Sequence, residues 1–180
     1  LQRIIAQPLG NRHRKALLGP LQDVLRAVRL VRSRAAEFRV DPDRLGVMGS
    51  SAGGHLASTA TVHFETIETR APNAVTGQSS RPDFSILIYP VISMDEGVHR
   101  GSKKNLMGET PAHGLPEYFS TQKHVKAGTP PAFLAHAIDD KLVGIENSRM
   151  FYEAQQKAGL PTRLVELPNG GHGLNGYKGP

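Results

Sequence analysis

Apolar positions at helical spacing run from Leu21 through Val24, Leu25, Val28, Val31 and Ala35 to Phe38, and predict an amphipathic helix over 21–38. Pro20 suits its first turn. Asp41-Pro42 ends it, because a residue before proline avoids the α region. Ahead of it, residues 2–6 (QRIIA) are expected as a short strand and 11–15 as a basic loop. Runs 44–48 (RLGVM), 84–89 (FSILIY) and 132–138 (AFLAHAI) have the apolar character of buried strands, and 162–167 (TRLVEL) is the last strand. Residues 49–54 form a tight turn, 55–64 a helix, and 146–158 a helix stopped by Gly159. The stretch 65–82 is a polar loop. Segment 91–130 is irregular, rich in Gly, Pro and Lys, with one short helix near 116–125. So long a stretch between elements predicts a lid-like insertion.

Strand and helix alternate, so the fold class is α/β: a mostly parallel sheet of about five strands with helices on its faces, three layers in all. The chain, 1–180, is expected as one domain. No apolar run is long enough to cross a bilayer. The absence of Cys excludes disulfides, thiolate metal sites and a Cys nucleophile. The net charge of +6 raises the question of a polyanion partner. Many of the positive charges, at Arg26, Arg29, Arg32, Arg34 and Arg39, sit on the 21–38 helix and its end, where a solvated polar face accounts for them. Aromatic residues are few, and base stacking needs them, so nucleic acid is not expected as a partner. The first residue is Leu and no signal segment is visible, so the sequence assigns no compartment.

Gly49-Ser50-Ser51-Ala52-Gly53 matches G-x-S-x-G between a predicted strand and a predicted helix, the setting in which this motif presents a nucleophile. Side chains at either glycine are expected to strike neighbouring backbone. Ser51 is the expected nucleophile, since Ser50 sits off-centre in the glycine frame. The N–H of Ala52, at the helix start, would face a developing oxyanion. Asp139-Asp140 follows strand 132–138, at the same sheet edge. Either carboxylate could orient a histidine; Asp140 is preferred, with Asp139 as a turn or cap residue. His172 lies in Gly170-Gly171-His172-Gly173 after the last strand, where flanking glycines let the ring swing over that edge. His136, inside a strand, and His55, inside a helix, are expected to be packed structural residues. The order Ser, Asp, His is the hydrolase order, with each member after a different strand.

Three stretches extend the match: PLQDVLRAVRLVRSRAAEFRVDPDRLGVMGSSAGGHLAS, TPPAFLAHAIDDKLVGIENSRMFYEAQQKAG and GGHG. Together they resemble bacterial α/β-hydrolase esterases of the carbohydrate-esterase, acetylxylan-esterase-like group. The resemblance implies Ser51, Asp140 and His172 as catalytic triad, no metal or organic cofactor, and a small acyl ester, foremost an acetyl ester of a sugar, as substrate. A thioesterase, a peptidase or a non-catalytic module of the same fold are the alternatives. The resemblance also implies strands before residue 1, a glycine loop there that donates a second oxyanion N–H, and a helix after the triad His. The chain is therefore expected to be truncated at both ends. A lost oxyanion donor costs about 2.7–4 kcal/mol, which would leave a slow esterase. Strand 44–48 would then have a bare edge, open to strand 2–6, to loops or to a second copy of the chain.

Overall fold

The computed structural model describes residues 11–65, 75, 77–95, 97–177 and 179. The expected strand 2–6 lies outside them. Helix α1 (Asn11–Ser33) and a single turn α2 (Ala35–Phe38) lead into β1 (Gly46–Ser50). Helix α3 (Ser51–Val62) follows without a gap, then β2 (Phe84–Ile88), α4 (Arg100–Met107), α5 (Leu115–Phe119) and a 3₁₀ turn at Thr121–His124. Strand β3 (Ala132–Ala137), helix α6 (Glu146–Lys157) and β4 (Thr162–Leu167) complete the order. The four strands pair in parallel in the order β1-β2-β3-β4, so every carboxyl end lies at one edge of the sheet.

Several elements differ from the sequence expectation, each for a physical reason. Helix α1 starts at Asn11, where a loop was expected, and Pro20 stands inside it. Proline withholds an N–H from the helix ladder. Here Leu17 and Leu18 are already buried beside Leu21 and Leu25, so the apolar stripe begins before the proline and packing overrides it. The helix breaks at Arg34, Arg39 turns left-handed with φ 55°, and Phe38 ends exposed rather than on the apolar face.

The basic face of α1 is not wholly solvated. Arg29 is buried, and Arg32 donates to the carbonyls of Pro42, Ser79 and Arg81 and to Asp83 Oδ2 at 2.9 Å. Asp83 Oδ2 also accepts the Leu45 N–H at 2.8 Å, so one ion pair pins the end of α1 to the starts of β1 and β2. Partners 47 to 51 residues away leave no local trace in the pattern of α1.

Segment 91–130 also holds more structure than expected. Besides the short helix near 116–125 it contains α4, whose N-cap His99 accepts the Ser102 N–H through Nδ1. Helix α4 buries no side chain fully, so its apolar positions, Leu106 and Met107, are too few to mark a helical period. Asn147 of α6 anchors the start of this segment. Its Oδ1 accepts the N–H groups of Ile92 and Ser93, and its Nδ2 donates to the carbonyls of Gly97 and Gly144.

The core lies on one side of the sheet. Ala57 and Val62 of α3 and Phe151 of α6 pack onto the face formed by Val47, Leu87, Leu134 and Leu164. A second cluster joins Leu21 and Leu25 of α1 to Ala60, Met94, Tyr118 and Phe119. Where helices on both faces were expected, the described helices that pack on the sheet do so on this one. On the opposite face Met48, Phe84 and Phe133 are exposed.

Candidate active site

The end of β1 turns straight into α3 at Ser51. Ser51 takes φ 53°, a left-handed conformation that a non-glycine residue adopts at a cost of order 1–3 kcal/mol unless its surroundings hold it there. The turn is held by its neighbours: the Ser51 carbonyl accepts the Val91 N–H at 3.1 Å. Gly49 is indispensable, because a Cβ there would lie 2.1 Å from the Gly53 carbonyl oxygen. The expected clash at Gly53 is absent, since a Cβ there meets nothing within 4 Å. The second tight glycine is instead Gly54, whose Cβ would fall 2.7 Å from Pro90 Cβ. Two backbones pass closely at Gly49, whereas helix α3 crosses the end of β2 at Gly54.

Asp140 follows β3 and is buried. Its Oδ1 accepts the N–H groups of Leu142 and Val143 at 2.9 and 3.0 Å, and its Oδ2 lies 2.8 Å from His172 Nδ1. Burial alone would push the Asp140 pKa up; the Val143 N–H, His172 and the Leu142 N–H outweigh it and hold the carboxyl below its ordinary value. Asp139 points elsewhere and accepts the Gly171 N–H at 2.8 Å, securing the loop that carries His172. That loop needs glycine: Gly171 has φ 59° and Gly173 φ 95°.

His172 closes the line. Because Nδ1 faces a carboxylate, Nδ1 carries the proton and donates it to Asp140. Nε2 is then the acceptor for the Ser51 hydroxyl, at 2.9 Å. The Tyr89 ring stands edge-on to the imidazole at 4.9 Å between centroids. So Ser51, Asp140 and His172, from the ends of three strands, meet in one hydrogen-bonded line. Ala52 sits at the first turn of α3, and the N-cap residue Ser50 makes no side-chain hydrogen bond to that turn, so the helix-start N–H groups are not capped by Ser50. A hydroxyl hydrogen-bonded to an oriented neutral imidazole, beside such N–H groups, can attack an electrophilic carbonyl.

His55 is packed as expected, its Nε2 2.8 Å from the Phe119 carbonyl. His136 is buried too, but sequence reasoning missed its contact: Nε2 lies 3.2 Å from Asp140 Oδ2. Only the fold at the end of β3 turns a residue four positions before the aspartate back towards it.

A cavity of about 300 Å³ runs along α3 from Ala52, the residue after Ser51. Ala52, His55, Leu56 and Thr59 of α3 form one wall, Leu17 and Leu21 of α1 another, and Met94, Leu106 and Phe119 of segment 91–130 a third. Among the described residues, no group of three or more His, Asp or Glu is placed to hold a metal ion. No helix among them is long and apolar enough to cross a membrane.

The chain is 41% identical over 160 residues to the acetylxylan esterase of Xylanibacter ruminicola, covering 86% of this chain and 31% of that protein. It is 38% identical over 155 residues to endo-1,4-beta-xylanase B of Butyrivibrio fibrisolvens, covering 86% of this chain and 24% of that one. The chain thus spans a quarter to a third of the length of these two curated relatives. Among solved structures, the acetyl ester-xyloside bifunctional hydrolase of Caldicellulosiruptor lactoaceticus is 46% identical, with a TM-score of 0.81 over 86% of this chain and 57% of that one. A butyrate-bound thermophilic esterase of Thermogutta terrifontis is 32% identical, with a TM-score of 0.66 over 85% of this chain and 55% of that one. The BD-FAE family pattern covers residues 13–155, most of the chain and every element from α1 into α6, and to that family the chain belongs.

Proposed function

We propose that this chain is a serine carboxylesterase that hydrolyses short-chain acyl esters, foremost acetyl esters carried by carbohydrates. The observation that carries this reading is the line Ser51 Oγ–His172 Nε2 at 2.9 Å and His172 Nδ1–Asp140 Oδ2 at 2.8 Å. The names of the relatives support the substrate: an acetylxylan esterase and an acetyl ester-xyloside hydrolase.

In the proposed mechanism, Ser51 Oγ attacks the ester carbonyl as His172 Nε2 takes its proton. Asp140 holds the imidazole in the Nδ1–H tautomer and stabilises the imidazolium. The carbonyl oxygen becomes an oxyanion facing the Ala52 N–H. His172 then gives the proton to the departing alcohol, leaving an acyl group on Ser51. Water, activated by His172, attacks this acyl-enzyme, and the acid leaves as Ser51 regains its proton.

The insertion 91–130 acts in this reading as a lid-like wall of the substrate pocket, because Met94, Leu106 and Phe119 line the cavity that begins at Ala52. The chain acts as one domain over 1–180. Strand β1 ends the described sheet, and its free edge is where a second copy of the chain would add. Sedimentation over a range of concentrations tests that assembly; a monomer throughout would remove it.

The deciding experiment is p-nitrophenol release from p-nitrophenyl acetate by the wild type, Ser51→Ala and His172→Ala. Turnover lost in both variants is expected. A folded wild type with no turnover would overturn the reading and leave a non-catalytic module of the fold. Parallel assays on an acetylated xylo-oligosaccharide, a thioester and a peptide amide should favour the first.

A further inference from the structure

We propose that His136 is a positioning residue of the triad: a neutral imidazole, locked in one tautomer by Ser148, that donates to the same Asp140 oxygen that orients His172. This rests on the esterase reading above, and deepens it.

The tautomer follows from the partners. His136 Nε2 lies 2.9 Å from the Val143 carbonyl oxygen and 3.2 Å from Asp140 Oδ2. Both are acceptors, so Nε2 must carry the hydrogen and share it between them. On the other side of the ring, Nδ1 lies 2.8 Å from Ser148 Oγ, at the start of α6. With Nε2 protonated and the ring neutral, Nδ1 accepts the Ser148 hydroxyl. Ser148 and His136 are both fully buried, so no water competes for these bonds. Burial also pushes the His136 pKa down, against the opposing Val143 and Asp140 contacts, and keeps the ring uncharged.

The consequence lies at Asp140. Its Oδ1 is filled by two backbone N–H groups, and its Oδ2 is shared by His172 and His136. Backbone donors alone fix one oxygen and leave the carboxylate free to swing about it. A second side-chain donor on Oδ2, anchored through β3 and α6, fixes the plane in which His172 must meet it. The ring thus ties the carboxylate to α6, so motion of that helix reaches the triad through Ser148 and His136.

The test compares His136→Phe, which keeps a ring without a donor, with His136→Gln, whose amide can occupy the Nε2–H position. His136→Phe should lower kcat/KM for p-nitrophenyl acetate about tenfold to a hundredfold, in kcat rather than KM, the cost expected of a displaced catalytic group. The downfield proton resonance of His172 Nδ1–H should shift or broaden in the same variant. His136→Gln should recover most of both. A folded Phe variant with unchanged kcat and resonance overturns the proposal. So does a Gln variant that loses as much as Phe, which would assign the ring to packing alone. Should Phe fail to fold, His136→Gln and Ser148→Ala decide. Wild-type behaviour in Gln with a disturbed resonance in Ser148→Ala upholds the role, and any other pairing overturns it. The resonance needs no substrate, so a chain inert towards esters would end the esterase reading while still testing this contact.

Discussion

Asp139 Oδ1 accepts the Gly171 N–H at 2.8 Å, and Asp140 Oδ2, one residue on, accepts the neighbouring His172 imidazole at the same distance. Adjacent carboxylates therefore hold the backbone and the ring of one loop. Their substitutions should separate cleanly. Asp140→Asn leaves the shape but offers His172 the wrong tautomer, and kcat should fall about ten-thousandfold. Asp139→Ala loses one exposed loop hydrogen bond, worth about 1 kcal/mol, and should change kcat only a few-fold. Kinetics of the two variants on p-nitrophenyl acetate check this; equal losses would contradict the division of roles.

Glycine substitutions around Ser51 should rank by the space available. Gly49→Ala drives a Cβ to 2.1 Å from the Gly53 carbonyl oxygen, and the destabilisation should exceed about 4 kcal/mol or abolish folding. Gly54→Ala meets Pro90 Cβ at 2.7 Å and Pro90 Cα at 2.8 Å, and should also destabilise. Gly53→Ala has open space inside a helix and should gain up to about 1 kcal/mol. Thermal unfolding of the three variants gives the order directly, and a Gly53 variant as damaged as Gly49 would contradict it.

What was legible in the sequence follows from which forces are local. Ser51, Asp140 and His172 stood out because each follows a strand, and parallel strands bring their ends to one edge. The choice of Asp140 over Asp139 could not be derived from composition, since it depends on which carboxylate the turn buries. Gly54 went unrecognised because its constraint is Pro90, a residue 36 positions away across the sheet. The start of α1 was hidden by Pro20, a local breaker that the buried Leu17 and Leu18 override. Helix α4 was hidden because its capping comes from a histidine side chain, outside the usual set of Ser, Thr, Asp and Asn.

Acid should destabilise the fold through its buried histidines. Burial pushes the His55 and His136 pKa values down, and lowers that of His63 to about 4, with His124 and Lys126 nearby adding repulsion to a His63 cation. The unfolded chain then binds more protons than the folded one. Stability is full above the unfolded histidine value of about 6.5 and declines as pH falls towards 4. Ionised Asp140, held below its ordinary value, adds a further loss at lower pH still. His63 stacks on Tyr118 at 4.1 Å, so His63→Phe keeps the contact and removes the titration. The melting temperature of that variant should fall less between pH 7 and about 4 than that of the wild type. Parallel curves would refute the assignment.

The cavity along α3 should govern which acyl or alcohol groups are accepted. An acetyl group fills a small part of about 300 Å³, so the walls contributed by Leu56, Leu106 and Phe119 become decisive only for larger apolar groups. Leu106 is the best probe, because it belongs to α4, a helix that buries no side chain fully and so tolerates change. Leu106→Trp should leave turnover of p-nitrophenyl acetate nearly intact and cut that of the hexanoate about tenfold, as expected when a pocket loses room for several methylenes. An acyl series against an alcohol series, acetate to hexanoate on one side and methyl to hexyl acetate on the other, tells which half of the ester enters. A small serine-directed phosphonate should label Ser51 at the same rate in both proteins, since it does not reach the wall. A uniform loss across all substrates and the phosphonate would mean that α4 supports the triad and does not line its pocket.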